Sequence, residues 1–107
     1  MKLVVAIVSR DDANSVTQSL TKQGFYSTRL ASSGGFLLAG NVTLLIGVAE
    51  EKVQQVIDII REHSHSRKQM IPAASEPGMN YIPNMPVEVT VGGATVFVVD
   101  VERFERL

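Results

Sequence analysis

The sequence predicts an α+β fold: a ferredoxin-like βαββαβ sandwich with an added C-terminal hairpin strand. Two observations lead to this prediction. Short β-branched runs alternate with two stretches that carry apolar residues at helical spacing. Two strand–helix–strand units therefore follow one another, which places both helices on one face of an antiparallel sheet. The chain has 107 residues, the size of one domain, so residues 1–107 are treated as a single unit.

The first strand–helix–strand unit occupies the N-terminal third of the chain. Residues 3–9 form an uninterrupted run, Leu-Val-Val-Ala-Ile-Val-Ser, which is typical of a strand buried on both faces. A helix is expected next, with Asp11 or Asp12 as its N-cap and Gly24 at its end. Residues 25–32 then alternate in the manner of a second strand.

The second unit begins with a third strand over residues 42–48. The helix that follows has Glu50 and Glu51 in its first turn, where the helix dipole favours negative charge. Apolar residues at i, i+3, i+4 and i+7 form a stripe that predicts its core face: Val53, Val56, Ile57 and Ile60.

The last third of the chain is predicted as a loop, a hairpin and a tail. Residues 64–86 contain all four prolines, which predicts a long loop. Residues 87–91 and 94–99 are β runs separated by Gly-Gly, the pattern of a tight hairpin. Residues 100–107 form a tail, for which we expect a helical turn anchored by Phe104.

Composition excludes several classes of function. The net charge is −1 and the basic residues are scattered, which argues against binding to nucleic acid or to an anionic membrane. Without cysteine there is no disulfide and no thiolate metal site, as is usual for a cytoplasmic protein. The apolar N-terminus is too short to span a membrane and lacks a cleavage site, so it is interpreted as a strand.

The predicted sheet has more apolar surface than two helices can cover. The first strand and residues 94–99 are apolar on both faces, yet the helices occupy only one. An apolar face of that size is rarely left bare on a monomer. We therefore expect it to pack against other copies of the chain, and a small sheet closing around an axis is compatible with a trimer. The alternative is a monomer whose proline-rich loop covers the face.

Residues 34–41, Gly-Gly-Phe-Leu-Leu-Ala-Gly-Asn, form a glycine-rich loop suited to a flat polar ligand. Its glycines let the backbone adopt positive φ and approach a bound molecule closely. Phe36 offers a ring for stacking, and the Asn41 amide offers a donor and an acceptor, as reading an adenine edge requires. The alternative is a hairpin loop in which Phe36 and Leu37 only cap the core.

Two segments carry a family resemblance. The stretch FYSTRLASSGGFLLAGNVTLLIGV, residues 25–48, and the stretch PVEVTVGGATVFVVDVERF, residues 86–104, resemble the PII-like cyclic-di-AMP receptor proteins. The similarity extends over nearly the whole chain and is weakest in the proline-rich loop. It implies a homotrimer of ferredoxin-like subunits that binds cyclic-di-AMP in clefts between subunits, with no enzymatic activity and no cofactor.

The resemblance also implies a set of ligand-binding residues. Phe36 and Leu37 match residues that pack on a base, Asn41 matches an amide that recognises adenine, and Phe97 matches an aromatic residue lining the cleft. The full set is Tyr26, Thr28, Gly35, Phe36, Leu37, Asn41, Gly47, Phe97 and Arg106.

Two positions depart from the family pattern. The family often has Arg where this chain has Tyr26, and a basic residue where it has Leu38. A tyrosine cannot supply a forked, charge-assisted hydrogen bond to phosphate. Arg29 is no replacement, because strand alternation points it to the opposite face. The loss of such a bond typically costs about 1.5–3 kcal/mol, so the alternative function is a PII-type sensor of ATP, ADP or another nucleotide.

Enzymatic and metal-binding patterns are weak in this sequence. Gly40 is followed by Asn-Val and a strand, where a phosphate-binding P-loop needs Lys-Ser/Thr and a helix. His63 and His65 lie two residues apart on a helix end, where solvated side chains are expected and no third ligand is near. No nucleophile has a neighbouring base. The family resemblance therefore implies a receptor that rearranges its loops for an unknown downstream protein.

Overall fold

The computed structural model describes residues 1–30, 40–72 and 86–107. The order of elements is β1 (Lys2–Ser9), α1 (Arg10–Lys22), β2 (Ser27–Leu30), β3 (Asn41–Val48), α2 (Val53–Ser64), β4 (Arg67–Pro72), β5 (Pro86–Val91) and β6 (Ala94–Asp100). A 3-10 turn, Glu50–Lys52, precedes α2, so the two glutamates lie just outside the α-helix that they were predicted to begin.

The main sheet has four antiparallel strands in the order β2-β3-β1-β6. Strand β3 lies between β2 and β1, the two strands joined by α1, and β1 lies between β3 and β6, which are connected through α2, β4 and β5. Two interleaved strand–helix–strand units of this kind define the ferredoxin-like arrangement. The predicted α+β class and the predicted sandwich are therefore confirmed.

The core fills the space between this sheet and the two helices. Alternate residues of β1 and β3 point toward the helices, as strand geometry requires. The residues packed there have 1% or less of their surface exposed: Val4, Ala6, Val8, Ala13, Val16, Leu20, Leu44, Ile46, Val56 and Ile60. Val56 and Ile60 belong to the apolar stripe predicted for α2, which is confirmed as a core face.

The N-cap of α1 is Ser9, whose hydroxyl accepts a hydrogen bond from the Asp11 backbone N–H at 3.3 Å. The prediction that Asp11 or Asp12 caps the helix was wrong. Strand β1 passes into α1 without an intervening loop, so the cap falls on the last residue of the strand. Both aspartates lie in the first turn instead, where their charge still suits the helix dipole.

Strands β4 and β5 form a separate two-stranded antiparallel sheet, which we call the β4–β5 arm. Its register runs from the pair Arg67 and Val91 to the pair Pro72 and Pro86. The prediction of a loop over residues 64–86 was therefore wrong for residues 67–72 and for its two ends, since Ser64 ends α2 and Pro86 begins β5. Residues 73–85, which belong to that predicted loop, lie outside the described residues.

The hairpin predicted around Gly92 and Gly93 was wrong in its pairing. Both flanking runs are strands, and both glycines have positive φ, 79° and 82°. Within the described residues, however, β5 pairs with β4, and β6 pairs with β1 over seven residues. The glycine pair turns the chain out of the arm and into the main sheet, where β6 pairs with the edge of β1.

The face of the sheet opposite the helices carries the predicted surplus of apolar residues. We call it the open face. Leu3, Val5, Ile7 and Leu45 are half-buried there. Toward the two sheet edges the side chains become more accessible, with 42% of Leu30, 52% of Phe97 and 45% of Val99 exposed. Such a face is available for contact with another chain.

The C-terminal tail, residues 101–107, is irregular, so the predicted helical turn was wrong. Arg103 and Glu105 form an ion pair at 2.9 Å. Residues two apart do not face each other on a helix, so this pair suits a non-helical chain. Phe104 is 62% exposed and does not anchor the tail on its own subunit.

Candidate functional site: the open face and the Asn41 cleft

Thr28 and Phe97 lie in one row that crosses the open face. Their row runs Thr28, Leu45, Val5, Phe97, one residue from each strand. Three steps between neighbouring strands separate the ends of the row, which places them about 14 Å apart. The two predicted ligand residues therefore belong to opposite edges of the sheet, and one chain does not bring them into one pocket.

Asn41 and Gly47 lie on the open face at opposite ends of β3. Asn41 pairs with Ser9, and Gly47 pairs with Leu3. The six residue-to-residue steps from Asn41 to Gly47 extend about 20 Å along the strand. Within one subunit the two residues therefore do not meet at one point, and only Asn41 adjoins the glycine-rich segment in sequence.

Tyr26 and Arg29 determine which polar groups are available near Thr28 at the β2 edge. Arg29 donates a hydrogen bond from Nη2 to the Asn14 side-chain oxygen at 3.0 Å, on the helix side of the sheet. The expectation that Arg29 faces away from Thr28 is thereby confirmed. Tyr26 is 80% exposed and offers only a phenolic hydroxyl.

Asn41 lines two adjoining concavities at the end of the sheet, which we call the Asn41 cleft. One has a volume of about 240 Å³ and is bounded by Ile7, Asn41, Gly92 and Thr95, among others. The other has a volume of about 330 Å³ and includes Arg10, Gly40, Asn41, Thr90 and Gly92. Clefts of this scale, lined by a few polar groups, are typical of small-molecule sites.

The sequence predicted Asn41 here but not the opposite wall. Gly92, Thr95 and Thr90 come from the ends of β5 and β6, and Arg10 comes from the first turn of α1. The only signal for that wall was the Gly92-Gly93 pair, which was interpreted as a hairpin turn. The Gly92-Gly93 pair lines a cleft only because the chain passes beside Asn41 where β5 ends. Sequence spacing does not reveal that placement.

A partly buried ion pair between Arg67 and Asp12 lies beside Gly92. Arg67 places Nη2 at 3.0 Å from one carboxylate oxygen of Asp12 and Nη1 at 3.4 Å from the other. The hydrogen bond and the negative charge of Asp12 raise the pKa of Arg67 above its ordinary value. A side chain on Gly92 would meet this guanidinium, since a Cβ there would lie 2.5 Å from Nη1.

Gly47 is not required by the packing of its own subunit. A Cβ added there meets no atom within 4 Å, and its φ is not positive. Glycine in a strand interior is less favourable than alanine by roughly 0.5–1 kcal/mol. It often marks a place where another backbone or a ligand comes close, and an exposed position on the open face allows such an approach.

The remaining predicted site residues are less informative. Gly35, Phe36 and Leu37, like Leu38, lie outside the described residues. Arg106 is exposed in the tail that follows β6. Its place near a ligand remains an expectation.

Metal binding finds no support in the described ranges. Within residues 1–30, 40–72 and 86–107, no group of three His, Asp or Glu side chains could hold a metal ion. His63 is not the solvated side chain that was predicted. Its Nδ1 lies 3.0 Å from the Ser15 hydroxyl and its Nε2 lies 2.8 Å from the Ser19 hydroxyl. Its role is to join the two helices.

None of the helices in the described part of the chain is long and apolar enough to cross a membrane.

Comparison with known proteins identifies the family. A family model described as "Cyclic-di-AMP receptor" matches residues 1–107, the whole chain. The chain is also similar to a crystal structure of a functionally unknown protein from Pediococcus pentosaceus ATCC 25745. That similarity has 40% sequence identity and a TM-score of 0.77, and covers 99% of this chain and 96% of the other. The chain belongs to the PII-like cyclic-di-AMP receptor family, a family of receptors and not of enzymes.

Proposed function

We propose that this protein is a nucleotide second-messenger receptor that binds cyclic-di-AMP in clefts between the subunits of a homotrimer. The bound ligand rearranges loops next to the cleft, and a downstream protein recognises the changed surface. The site of action is the cytoplasm. Membership of the receptor family supports the ligand, and the geometry of the open face supports the clefts.

The observation that carries the proposal is the separation of Thr28 from Phe97. They lie about 14 Å apart on opposite edges of the sheet. Both edges expose apolar side chains, Leu30 beside Thr28 and Val99 beside Phe97. When the β2 edge of one subunit meets the β6 edge of the next, Thr28 and Phe97 come to the same seam, and the exposed apolar surface is buried.

Asn41 supplies base recognition in this proposal. Its side chain sits at the start of β3 and lines both concavities of the cleft. The planar amide can donate to and accept from the edge of an adenine at once. Residues 34–40 precede it directly, so a ligand that engages Asn41 biases the loop toward one arrangement, which is the rearrangement that the proposal requires.

Tyr26 favours one alternative: a sensor of ATP, ADP or another nucleotide on the same scaffold. The exposed phenol gives the β2 edge a neutral hydrogen-bonding group where the family often has a cation. A neutral group binds phosphate less strongly than a guanidinium does. Tyr26 in place of a cation therefore changes how strongly the site binds phosphate groups. The nucleotide that binds best must be measured.

Isothermal titration calorimetry with cyclic-di-AMP, cyclic-di-GMP, ATP and AMP tests the proposal. We expect cyclic-di-AMP to bind most tightly. The Asn41→Ala variant should lose about 1–3 kcal/mol of binding free energy, the usual value of a bidentate amide–adenine contact. Asn14→Ala is the matched control, because Asn14 is also an exposed asparagine but bonds Arg29 on the helix side.

The outcomes separate the hypotheses. Preferred binding of ATP would establish the alternative sensor. Absence of heat with every nucleotide would overturn both. Equal affinities for wild type and Asn41→Ala would show that Asn41 does not read the base, even if cyclic-di-AMP binds.

A further inference from the structure

We infer that the ion pair between the buried Asp12 and the partly exposed Arg67 is a joint that couples the Asn41 cleft to the β4–β5 arm. Arg67 acts as a positioning residue: it holds Gly92, which is a wall of the cleft, and it also fixes the base of the arm. The inference rests on the proposed function for the identity of the ligand, but the joint itself is defined by contacts within one chain.

The ion pair is built to fix an orientation. Asp12 is in the first turn of α1, and only 8% of its side chain is exposed. Arg67, the first residue of β4, reaches both carboxylate oxygens, at 3.0 and 3.4 Å. A forked pair constrains direction as well as distance. Removal of Arg67 leaves the buried Asp12 carboxylate without its counter-charge, which is unfavourable.

The two ends of the arm meet at this guanidinium. Besides Asp12, Arg67 Nη1 donates to the backbone carbonyl of His65 at 3.2 Å, just before the arm begins. Gly92 lies just after the arm ends, so close that an added Cβ would lie 2.5 Å from Nη1 and 2.7 Å from the His65 oxygen. One side chain therefore ties the entry and the exit of the arm to α1.

The same glycine faces the ligand cleft. Gly92 and Asn41 line both concavities, and Ala94, two residues further on, is already paired with Val8 in the main sheet. A change in the orientation of the arm must therefore move Gly92 or break the ion pair. Coupling between two sites is reciprocal, so a ligand that packs against Gly92 must bias the arm as strongly as the arm biases the ligand. The arm thereby reports occupancy of the cleft.

The test uses Arg67→Gln, Asp12→Asn and the double variant of the full-length chain. Arg61→Gln is the control, since Arg61 also pairs with an aspartate, Asp58, but on the exposed surface of α2. Light scattering checks that each variant keeps the wild-type assembly. Titration calorimetry measures cyclic-di-AMP affinity, and amide hydrogen exchange is followed at residues 40–42 and 86–95, with and without cyclic-di-AMP.

We expect Arg67→Gln and Asp12→Asn to weaken binding by about fivefold or more, the lower end of typical couplings. The double variant should lose no more affinity for cyclic-di-AMP than the single variant that binds it less tightly, because the two residues act as a pair. In wild type, cyclic-di-AMP should slow exchange in β5, and in Arg67→Gln this slowing should disappear. Arg61→Gln should match wild type in both measurements.

Wild-type affinity in Arg67→Gln would overturn the joint while leaving the receptor function intact. Failure of the wild-type protein to bind cyclic-di-AMP would overturn the proposed function instead. In that case the joint is tested in the protein without ligand. Arg67→Gln must have faster amide hydrogen exchange than wild type at residues 40–42, which lie across the cleft from the arm. Exchange that changes only within the arm would refute the coupling.

Discussion

Gly47 and Gly92 differ in whether their own chain leaves room for a side chain. Gly92 has a φ of 79° and no room for a Cβ within its own chain. Gly47 has neither constraint, so no described residue of its own subunit calls for glycine there. In the proposed receptor, Gly92 is needed for folding and Gly47 allows the approach of a ligand.

Substitution by alanine tests this distinction. Gly47→Ala should keep or raise the stability of the chain, by up to about 0.5–1 kcal/mol, and should weaken cyclic-di-AMP binding because the new methyl group obstructs the approach. Gly92→Ala should lower stability, because strain at positive φ adds to a steric clash. Urea unfolding and titration calorimetry measure the two effects. Unchanged affinity in Gly47→Ala would remove that residue from the site.

Lys2 and Asp100 join the first strand to the last. Their hydrogen bond, together with their opposite charges, lowers the pKa of Asp100 below its ordinary 3.8 and raises the pKa of Lys2 above its ordinary 10.5. The carboxylate therefore contributes stability above pH 3.8 that is lost as the pH falls through its lowered folded pKa. The ammonium contributes stability below pH 10.5 that is lost as the pH rises through its raised folded pKa.

Thermal melting across pH checks this pair. The melting temperature of wild type should exceed that of Asp100→Asn between about pH 4 and pH 10, and the difference should vanish in stronger acid. Since the pair is on the surface, the difference should be small and should shrink with added salt. A constant difference down to pH 2 would show that the charge of Asp100 is not the cause.

At the scale of elements, His63 joins α2 to α1. Both ring nitrogens are within 3.0 Å of serine hydroxyls, Ser15 and Ser19, which lie one turn apart on α1. Each such bond contributes about 1 kcal/mol. His63→Ala should therefore lower the free energy of unfolding in urea by about 1–2 kcal/mol.

His65→Ala is the matched control for this element contact. The His65 side chain is exposed, and its carbonyl, which accepts from Arg67, is kept in the variant. A change within about 0.5 kcal/mol is expected, as for other surface substitutions. An equal loss in both variants would mean that the serine contacts of His63 contribute nothing specific.

The elements that the sequence predicted correctly are those with a local signature. The apolar run of β1 and the stripe of α2 identified a central strand and a core-facing helix, because burial imposes a period of two or 3.6 residues. Strand β4 was missed because its partner, β5, is distant in sequence and it ends at Pro72. The Gly92-Gly93 turn was recognised. The pairing of β5 and β6 depends on which strand edges are available in the folded chain, and a local sequence pattern does not show that.

The candidate site was predicted unevenly for a similar reason. Asn41 was predicted from its own chemistry and from a family resemblance, and it does line a cleft. Arg10, Thr90 and Gly92 come from elsewhere in the chain and reach the cleft only through the tertiary fold. The Asp12–Arg67 pair spans 55 residues of sequence, and neither residue alone signals it.

At the scale of the whole molecule, the open face links assembly of the proposed trimer to ligand binding. Leu30, Phe97 and Val99 remain accessible on a single chain, and Phe104 projects from the tail. Burial of apolar surface contributes about 25 cal/mol per Å², so covering this face would favour association. In the proposed trimer, the contact that covers the face also creates the ligand clefts.

Native mass spectrometry with cyclic-di-AMP tests this account most directly, because one spectrum reports both assembly and occupancy. The account predicts a particle of three times the 11.6 kDa chain mass that carries up to three ligands, and single chains that carry none. A single chain that retains cyclic-di-AMP, or a trimer that never acquires it, would contradict the account.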